Sequence, residues 1–311
     1  MRVKDSLAME YWLEMKCPVC GEKYNKLDYQ MLSRHLAQNC ERNDTPHLEF
    51  VKYYLPGANW LSADFTNEVK GIFVFDKGHL SDWILSKLIQ RFFQDKPHPF
   101  IESMQKPKKS IFQGYAIEYS YYLKQRVRSF SFAMAKSDKI DVQKLEAKLV
   151  FPELADDSHV QSQMVLLEDM AESVGLPPET LESSMPLPPT LHSVRLWNSI
   201  AENDQWLEIM ASLNLMDLVY SPMLLKAGAK LPYFSQSVLD NEWIPDEVKT
   251  FLKHSVEYLA PIAEQALVLS TQYAEELGQT EDLQSVFLRS LEAFDRHLLA
   301  RVTRAKQFES K

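Results

Sequence analysis

Apolar positions recur with a helical period along most of the 311-residue chain. The clearest run is His79 to Phe93. There Leu80, Trp83, Ile84, Leu88, Ile89 and Phe92 fall three and four residues apart, the spacing of one buried helical stripe. Ser110 to Ala135 is dense in aromatics at Phe112, Tyr115, Tyr119, Tyr122, Phe130 and Phe132. Val142 to Leu149 is the next segment, continuing past Pro152. Ser158 to Val174 puts Met164, Leu167, Met170, Ala171 and Val174 on one face, and Gly175 is placed to end that helix before Pro177. Further helices are predicted over Thr190–Ile200, over Asp204–Ala227 with an interruption at Pro222, and from Pro245 to Leu277. A last one starts at Thr280-Glu281-Asp282 and runs to Ala305. Two shorter runs differ: Phe50–Leu55 reads as strand or short helix, and Gly71–Phe75 as strand-like. Lys96-Pro-His-Pro-Phe100 breaks the chain. The pattern predicts an all-α bundle of six or seven helices.

Composition narrows this. Hydrophobic residues at 45% and aromatics at 11% are enough for a real core, and eight glycines disfavour tight-turned sheets. The net charge of −9 disfavours nucleic acid, whose phosphates need clustered Lys and Arg. No stretch of about 18 apolar residues predicts a membrane span, and the first residues carry no apolar core of a signal peptide. The three cysteines fall in one short segment and leave none for a disulfide framework, which points to a reducing, cytoplasmic setting.

That segment is the sharpest motif in the chain. Cys17-Pro-Val-Cys20, His35 and Cys40 read C-x2-C-x14-H-x4-C. Two ligands from a tight knuckle and two from a helix are what a tetrahedral zinc ion needs. Tyr24 supplies an aromatic core residue, and Leu32 shares the helical face of His35. Four protein ligands leave no open position, so the expected zinc is structural, with packing or partner contact as its role. The expected organisation is a C2HC zinc module over 1–45, a connector of mixed structure over 46–97, and a helical bundle over 98–311.

The order of the bundle segments resembles the haem-oxygenase-like superfamily, in the branch of the pyrroloquinoline-quinone synthase, TenA-type proteins and non-haem di-iron oxidases. The likeness lies in His98-Pro-Phe100 with Glu118-Tyr119, in Phe151-Pro-Glu153-Leu through Glu172-Ser-Val-Gly175-Leu, in Leu187-Pro-Pro-Thr190 through Asp217-Leu-Val-Tyr220, and in Phe251-Leu-Lys-His254. The resemblance implies an iron site on inward carboxylates and histidines. Glu153 matches the first carboxylate, Asp217 the middle one and His254 the last histidine. His159 is a shifted match for the second ligand, and a stricter register places Gln163 there. Tyr258 and Pro261 stand where the family motif has Asp and His. Proline cannot be a ligand, and Pro261 should kink its helix near Tyr258. A full di-iron pair is therefore not expected. What remains is a single iron on Glu153, His159, Asp217 and His254, or a metal-free site as in the quinone synthase.

The candidate catalytic set is Glu118, Glu153, Asp217, His254 and Tyr258. The function the resemblance implies is an oxidase or oxygenase of small-molecule biosynthesis, acting as a soluble enzyme, and the same resemblance implies a homodimer. The alternative is an inactive bundle whose zinc module binds a protein partner. The thiaminase chemistry of TenA-type relatives uses a cysteine nucleophile, and here every cysteine is in the zinc motif.

Overall fold

The computed structural model describes residues 14–25, 28–75, 78–155 and 160–309. The chain divides into two compact units, Met1–Val74 and Phe75–Lys311. Among the described residues no helix is long and apolar enough to cross a membrane.

The first unit begins with a two-stranded antiparallel hairpin, β1 (Glu14–Lys16) and β2 (Lys23–Asn25), with Met15 opposite Tyr24. Three helices follow: α1 (Tyr29–Glu41), α2 (Thr45–Tyr54) and α3 (Phe65–Phe73). Asp28 caps α1 by accepting from the amides of Gln30 and Met31, and Asp44 caps α2 through the amide of His47. Leu32 and Leu36 of α1 and Val69 of α3 are fully buried where these helices meet. Of the run 71–75, expected as strand-like, residues 71–73 are the C-terminal end of α3, and Val74 after it has extended backbone. Val69, Ile72 and Phe73 pack at helical spacing, and that periodicity outweighs the local β preference of Ile-Phe-Val-Phe.

The second unit is all-α. It runs α4 (Leu80–Phe92), α5 (Pro99–Ser103), α6 (Lys109–Lys136), α7 (Ile140–Leu154), α8 (Gln163–Ser173), α9 (Pro178–Ser183) and α10 (Pro188–Asn203). There follow α11 (Trp206–Ser212), a 3-10 segment (Asn214–Tyr220), α12 (Met223–Lys226), α13 (Gln236–Leu239) and α14 (Asp246–His254). The chain then passes through a π-helical turn (Ser255–Leu259) into α15 (Ala260–Glu276) and α16 (Thr280–Glu309). The segment 46–97 therefore belongs to neither a connector nor one unit. Its first half forms α2 and α3 of the first unit, and α4 packs on α15 and α16 of the second.

Helices α6 and α16 form the axis of the bundle, with α7, α8, α10 and α11 around them. Their approach is set at Gly114. A Cβ there would lie 2.3 Å from the Arg301 carbonyl oxygen and 2.8 Å from the Ala305 nitrogen. The stretch 204–227, expected as a helix interrupted at Pro222, is interrupted there and also earlier, giving α11, the 3-10 segment and α12. It is buried throughout 209–221, so both faces are covered and the single-stripe pattern of a long helix is lost. Pro261, expected to kink its helix near Tyr258, adjoins a π-helical turn over Ser255–Leu259. With no N–H to donate to the fourth residue back, it sits beside a turn in which the Ala260 amide reaches the Ser255 carbonyl, five residues back.

Candidate functional site

The first unit gathers one group of metal-ligating atoms. Cys17 follows β1, and the knuckle is closed by the Cys17 amide on the Glu22 carbonyl and the Gly21 amide on the Cys17 carbonyl, both 2.8 Å. Gly21 has φ 75°, a left-handed position that suits glycine. This turn holds Cys20 opposite His35 of α1. His47, in the first turn of α2, completes the set. The ligand atoms of Cys17, Cys20, His35 and His47 all lie within 4.8 Å of one another. Cys20 Sγ is 3.3 Å from His35 Nε2, Cys17 Sγ is 3.6 Å from His47 Nε2, and the two Nε2 atoms are 3.1 Å apart. A tetrahedral zinc with ordinary Zn–S and Zn–N bonds separates its ligand atoms by roughly 3.3–3.8 Å, so the set fits the ion.

The surroundings fit as well. His47 Nδ1 is held by the Asp44 carboxylate, and His35 Nδ1 lies 3.0 Å from Glu22 Oε2. Both rings are therefore turned with Nε2 toward the centre, the carboxylate–histidine pairing of zinc sites. Burial pushes the Cys17 thiol up, whereas the hydrogen bond from Cys17 holds the Cys20 thiol well below its usual range. Tyr24 is buried with its ring 5.7 Å from His35.

Cys40 is not in this set, which corrects the expected fourth ligand. It stands five residues after His35 on an unbroken helix, about 140° around the axis, and its side chain is buried elsewhere in the unit. His47 was missed because H-x11-H is far outside finger spacing. The local signal was Asp44-Thr-Pro-His47, a helix start that aims a histidine from the first turn.

In the second unit the buried polar groups centre on Arg126 of α6. Its guanidinium donates to Gln163 Oε1 and to the Asp217 carboxylate, and it lies 4.9 Å from the Phe130 ring centre. Gln163 Nε2 in turn donates to Tyr119 Oη at 3.0 Å. Burial pushes Asp217 up to about 6 although Arg126 pulls it down, and burial followed by the Arg126 charge pushes His254 down to about 4. Glu146 accepts from Asn214 Nδ2 at 2.9 Å and is pushed up to about 8 by burial.

This arrangement does not assemble the iron set. Among the described residues Glu153, Asp217 and His254 form no ligand group, and His159 lies outside them. Arg126 is the reason: a fixed cation already takes the Asp217 charge. Glu153 is committed to the start of α8, accepting from Ser162 Oγ at 2.5 Å and the Gln163 amide at 2.7 Å. The space bounded by Arg126, Glu153, Gln163, His254 and Tyr258 measures about 10 Å³, room for about one water molecule. Tyr258 donates to the Lys148 carbonyl at 2.5 Å and has a structural task. Glu118 is held apart from these residues by Arg304 Nε at 2.8 Å and the Leu187 amide at 3.1 Å, tying α6 to α16 and to the start of α10. Of the five candidate catalytic residues, Glu153, Asp217, His254 and Tyr258 surround Arg126, and Glu118 does not join them.

A cavity of about 370 Å³ opens elsewhere in the same unit. Phe93, Leu224, Phe234 and Val256 give it apolar walls; Tyr220 and Tyr233 close one side. Ser221 lines it with a hydroxyl that donates to Glu264, and Lys253 and Glu257 add charge. Tyr220 Oη is 3.1 Å from Tyr115 Oη, which links the cavity wall to the bundle axis. The sequence reading missed Arg126, Tyr233 and Arg301. The arginines occupy core positions of α6 and α16, where charge reads as surface, and Tyr233 lies in the irregular stretch 227–235 with no period to read.

Residues 85–305 match the sequence model of the family described as TENA/THI-4/PQQC. Three solved structures share the fold. One is described as a TenA family transcription regulator from a Silicibacter species, with TM-score 0.53 and 15% identity over 73% of this chain and 97% of that one. Another is a domain of unknown function with a haem-oxygenase-like fold from Shewanella denitrificans, with TM-score 0.52 and 17% identity over 74% and 92%. A third is a TenA homologue from Pseudomonas syringae pv. tomato, with TM-score 0.51 and 12% identity over 76% and 92%. The second unit thus has the haem-oxygenase-like fold. No curated protein is detectably similar to the chain in sequence.

Proposed function

The chain belongs to the TENA/THI-4/PQQC family, and on that premise we propose that its bundle is a biosynthetic enzyme for a small, largely apolar molecule, working without a metal in the bundle. The observation that carries this reading is the 370 Å³ cavity, which lies within the size range of small-molecule sites and joins apolar walls to a few polar groups. Arg126 beside Asp217 argues against the iron form of the oxidase reading and leaves the metal-free form.

In that form the substrate itself supplies two electrons to O2, giving hydrogen peroxide, and the protein moves protons. Burial holds the Tyr220 phenol well above its usual range, so at neutral pH it acts as a hydrogen-bond donor to a substrate oxygen. The Ser221–Glu264 pair is the proton acceptor facing the cavity. The Cys17, Cys20, His35 and His47 group would hold zinc; a bound zinc fixes the hairpin against α1 and α2 and leaves no position for substrate.

The test is thermal unfolding of the full chain with a panel of small neutral alkyl and aromatic alcohols. Members that fit should raise the midpoint of the wild type and leave Val256→Trp, which fills the cavity, unmoved. A panel that shifts both proteins equally, or neither, removes the cavity as the site. For a ligand found this way, oxygen uptake should be independent of added iron.

A further inference from the structure

Arg301 of α16 is fully buried, and its guanidinium carbon lies 4.2, 4.8 and 5.1 Å from the ring centres of Tyr115, Tyr119 and Phe100. Nη1 donates to Tyr233 Oη at 3.0 Å. Nε and Nη2 meet no acceptor, and among the described residues no carboxylate pairs with this cation. Asp217, which feels its charge, is committed to Arg126. One turn earlier, His297 is also fully buried. Its Nδ1 is 3.4 Å from Thr190 Oγ1, and its Nε2 has no partner.

Aromatic faces attract a guanidinium but do not accept hydrogen bonds as a carboxylate does. A desolvated cation with spare donors and no counter-charge is an expensive arrangement unless an anion completes it. Glu146 cannot serve, because burial keeps it protonated near neutral pH and its bonded oxygen is engaged by Asn214.

The wall between this cation and the 370 Å³ cavity is one side chain thick. Tyr233 accepts from Arg301 and also lines the cavity, as does Tyr220, whose ring centre is 4.6 Å away. Tyr233 belongs to the irregular stretch 227–235, so no helical ladder fixes its backbone. Turning its ring aside would open Nη1 and Nη2 to the cavity.

We propose that Arg301 is the anion anchor of the cavity, and that its ligand is an amphipathic organic acid. The apolar body fills the space walled by Phe93, Leu224 and Phe234. The carboxylate replaces the Tyr233 hydroxyl on the guanidinium, whose planar fork matches two carboxylate oxygens. This rests on the reading of the cavity as the substrate site and narrows that site to acids.

Octanoate and its neutral counterpart octanol, titrated calorimetrically into the full chain, are the probes. Octanoate should bind the wild type at least tenfold more tightly than octanol. Arg301→Met should lose that preference while retaining octanol, and Tyr233→Phe, which frees Nη1, should bind octanoate severalfold more tightly. Equal affinities in the wild type, or a preference that survives Arg301→Met, overturn the anchor and leave the cavity site standing. Binding of neither probe overturns both. Should Arg301→Met not fold, Tyr233→Phe decides alone: unchanged or weaker octanoate binding contradicts the anchor.

Discussion

Tyr258 donates its phenol proton to the backbone carbonyl of Lys148, 2.5 Å away, and this is the carbonyl that Pro152 leaves without a helical donor. A proline inside α7 removes the amide that should reach four residues back. A tyrosine from the π-helical turn supplies the missing bond across the bundle. The two departures from regular helix, at Pro152 and before Pro261, are thus coupled. Tyr258→Phe should lower stability by about 1 kcal/mol. In a Pro152→Ala background, where the amide is restored, the same change should cost less. A double-mutant cycle in denaturant measures the coupling, and strict additivity would show that the two residues act independently.

The Arg126–Asp217 pair is buried on both sides. Asp217→Ala strands a cation among Phe130, Tyr122 and Gln163, and should cost about 3–5 kcal/mol in unfolding free energy. Asp217→Asn, which keeps an acceptor, should cost less. Equal losses would mean that charge plays no part there.

Glu146 gives the fold a defined pH dependence. Its carboxyl is raised from 4.5 to about 8 in the folded chain. The folded state therefore holds this proton where the unfolded state has released it. Its contribution is complete below the unfolded value and is lost as pH rises from there through about 8. Stability measured across that window should fall with pH in the wild type and fall less in Glu146→Gln. Identical slopes would place the titration on another group.

Gly114→Ala should be destabilising although alanine is the better helix former. The gain of about 1 kcal/mol in propensity is outweighed by a Cβ set 2.3 Å from the Arg301 carbonyl, which must push α6 from α16. A net loss of about 2 kcal/mol is expected, read from the denaturation midpoint; a stabilised variant would show that the crossing is loose.

The helical class was legible because single-sided helices such as α4 and α8 carry their period in plain view, and Pro261 pointed to an irregularity in its helix. The stretch 204–227 was not, because burial on every face erases the period that would mark where α11 ends. The knuckle and His35 were legible from spacing alone. His47 was not, because its place depends on how α2 folds back toward α1, a tertiary fact. Glu153 and Tyr258 looked chemical by their matched positions, yet each satisfies backbone groups that a break leaves open. Arg126 and Arg301 were invisible for the opposite reason: a charge in a helix reads as solvent-facing until the packing shows what encloses it.

Metal content per chain, measured on protein purified without added metal, tests the account most directly. One zinc and no iron are predicted for the wild type. Cys40→Ser should keep the zinc, His47→Ala should lose it, and His254→Ala should change nothing. Iron beyond the zinc that disappears in His254→Ala would contradict the metal-free bundle, and zinc lost from Cys40→Ser but kept by His47→Ala would contradict the ligand set.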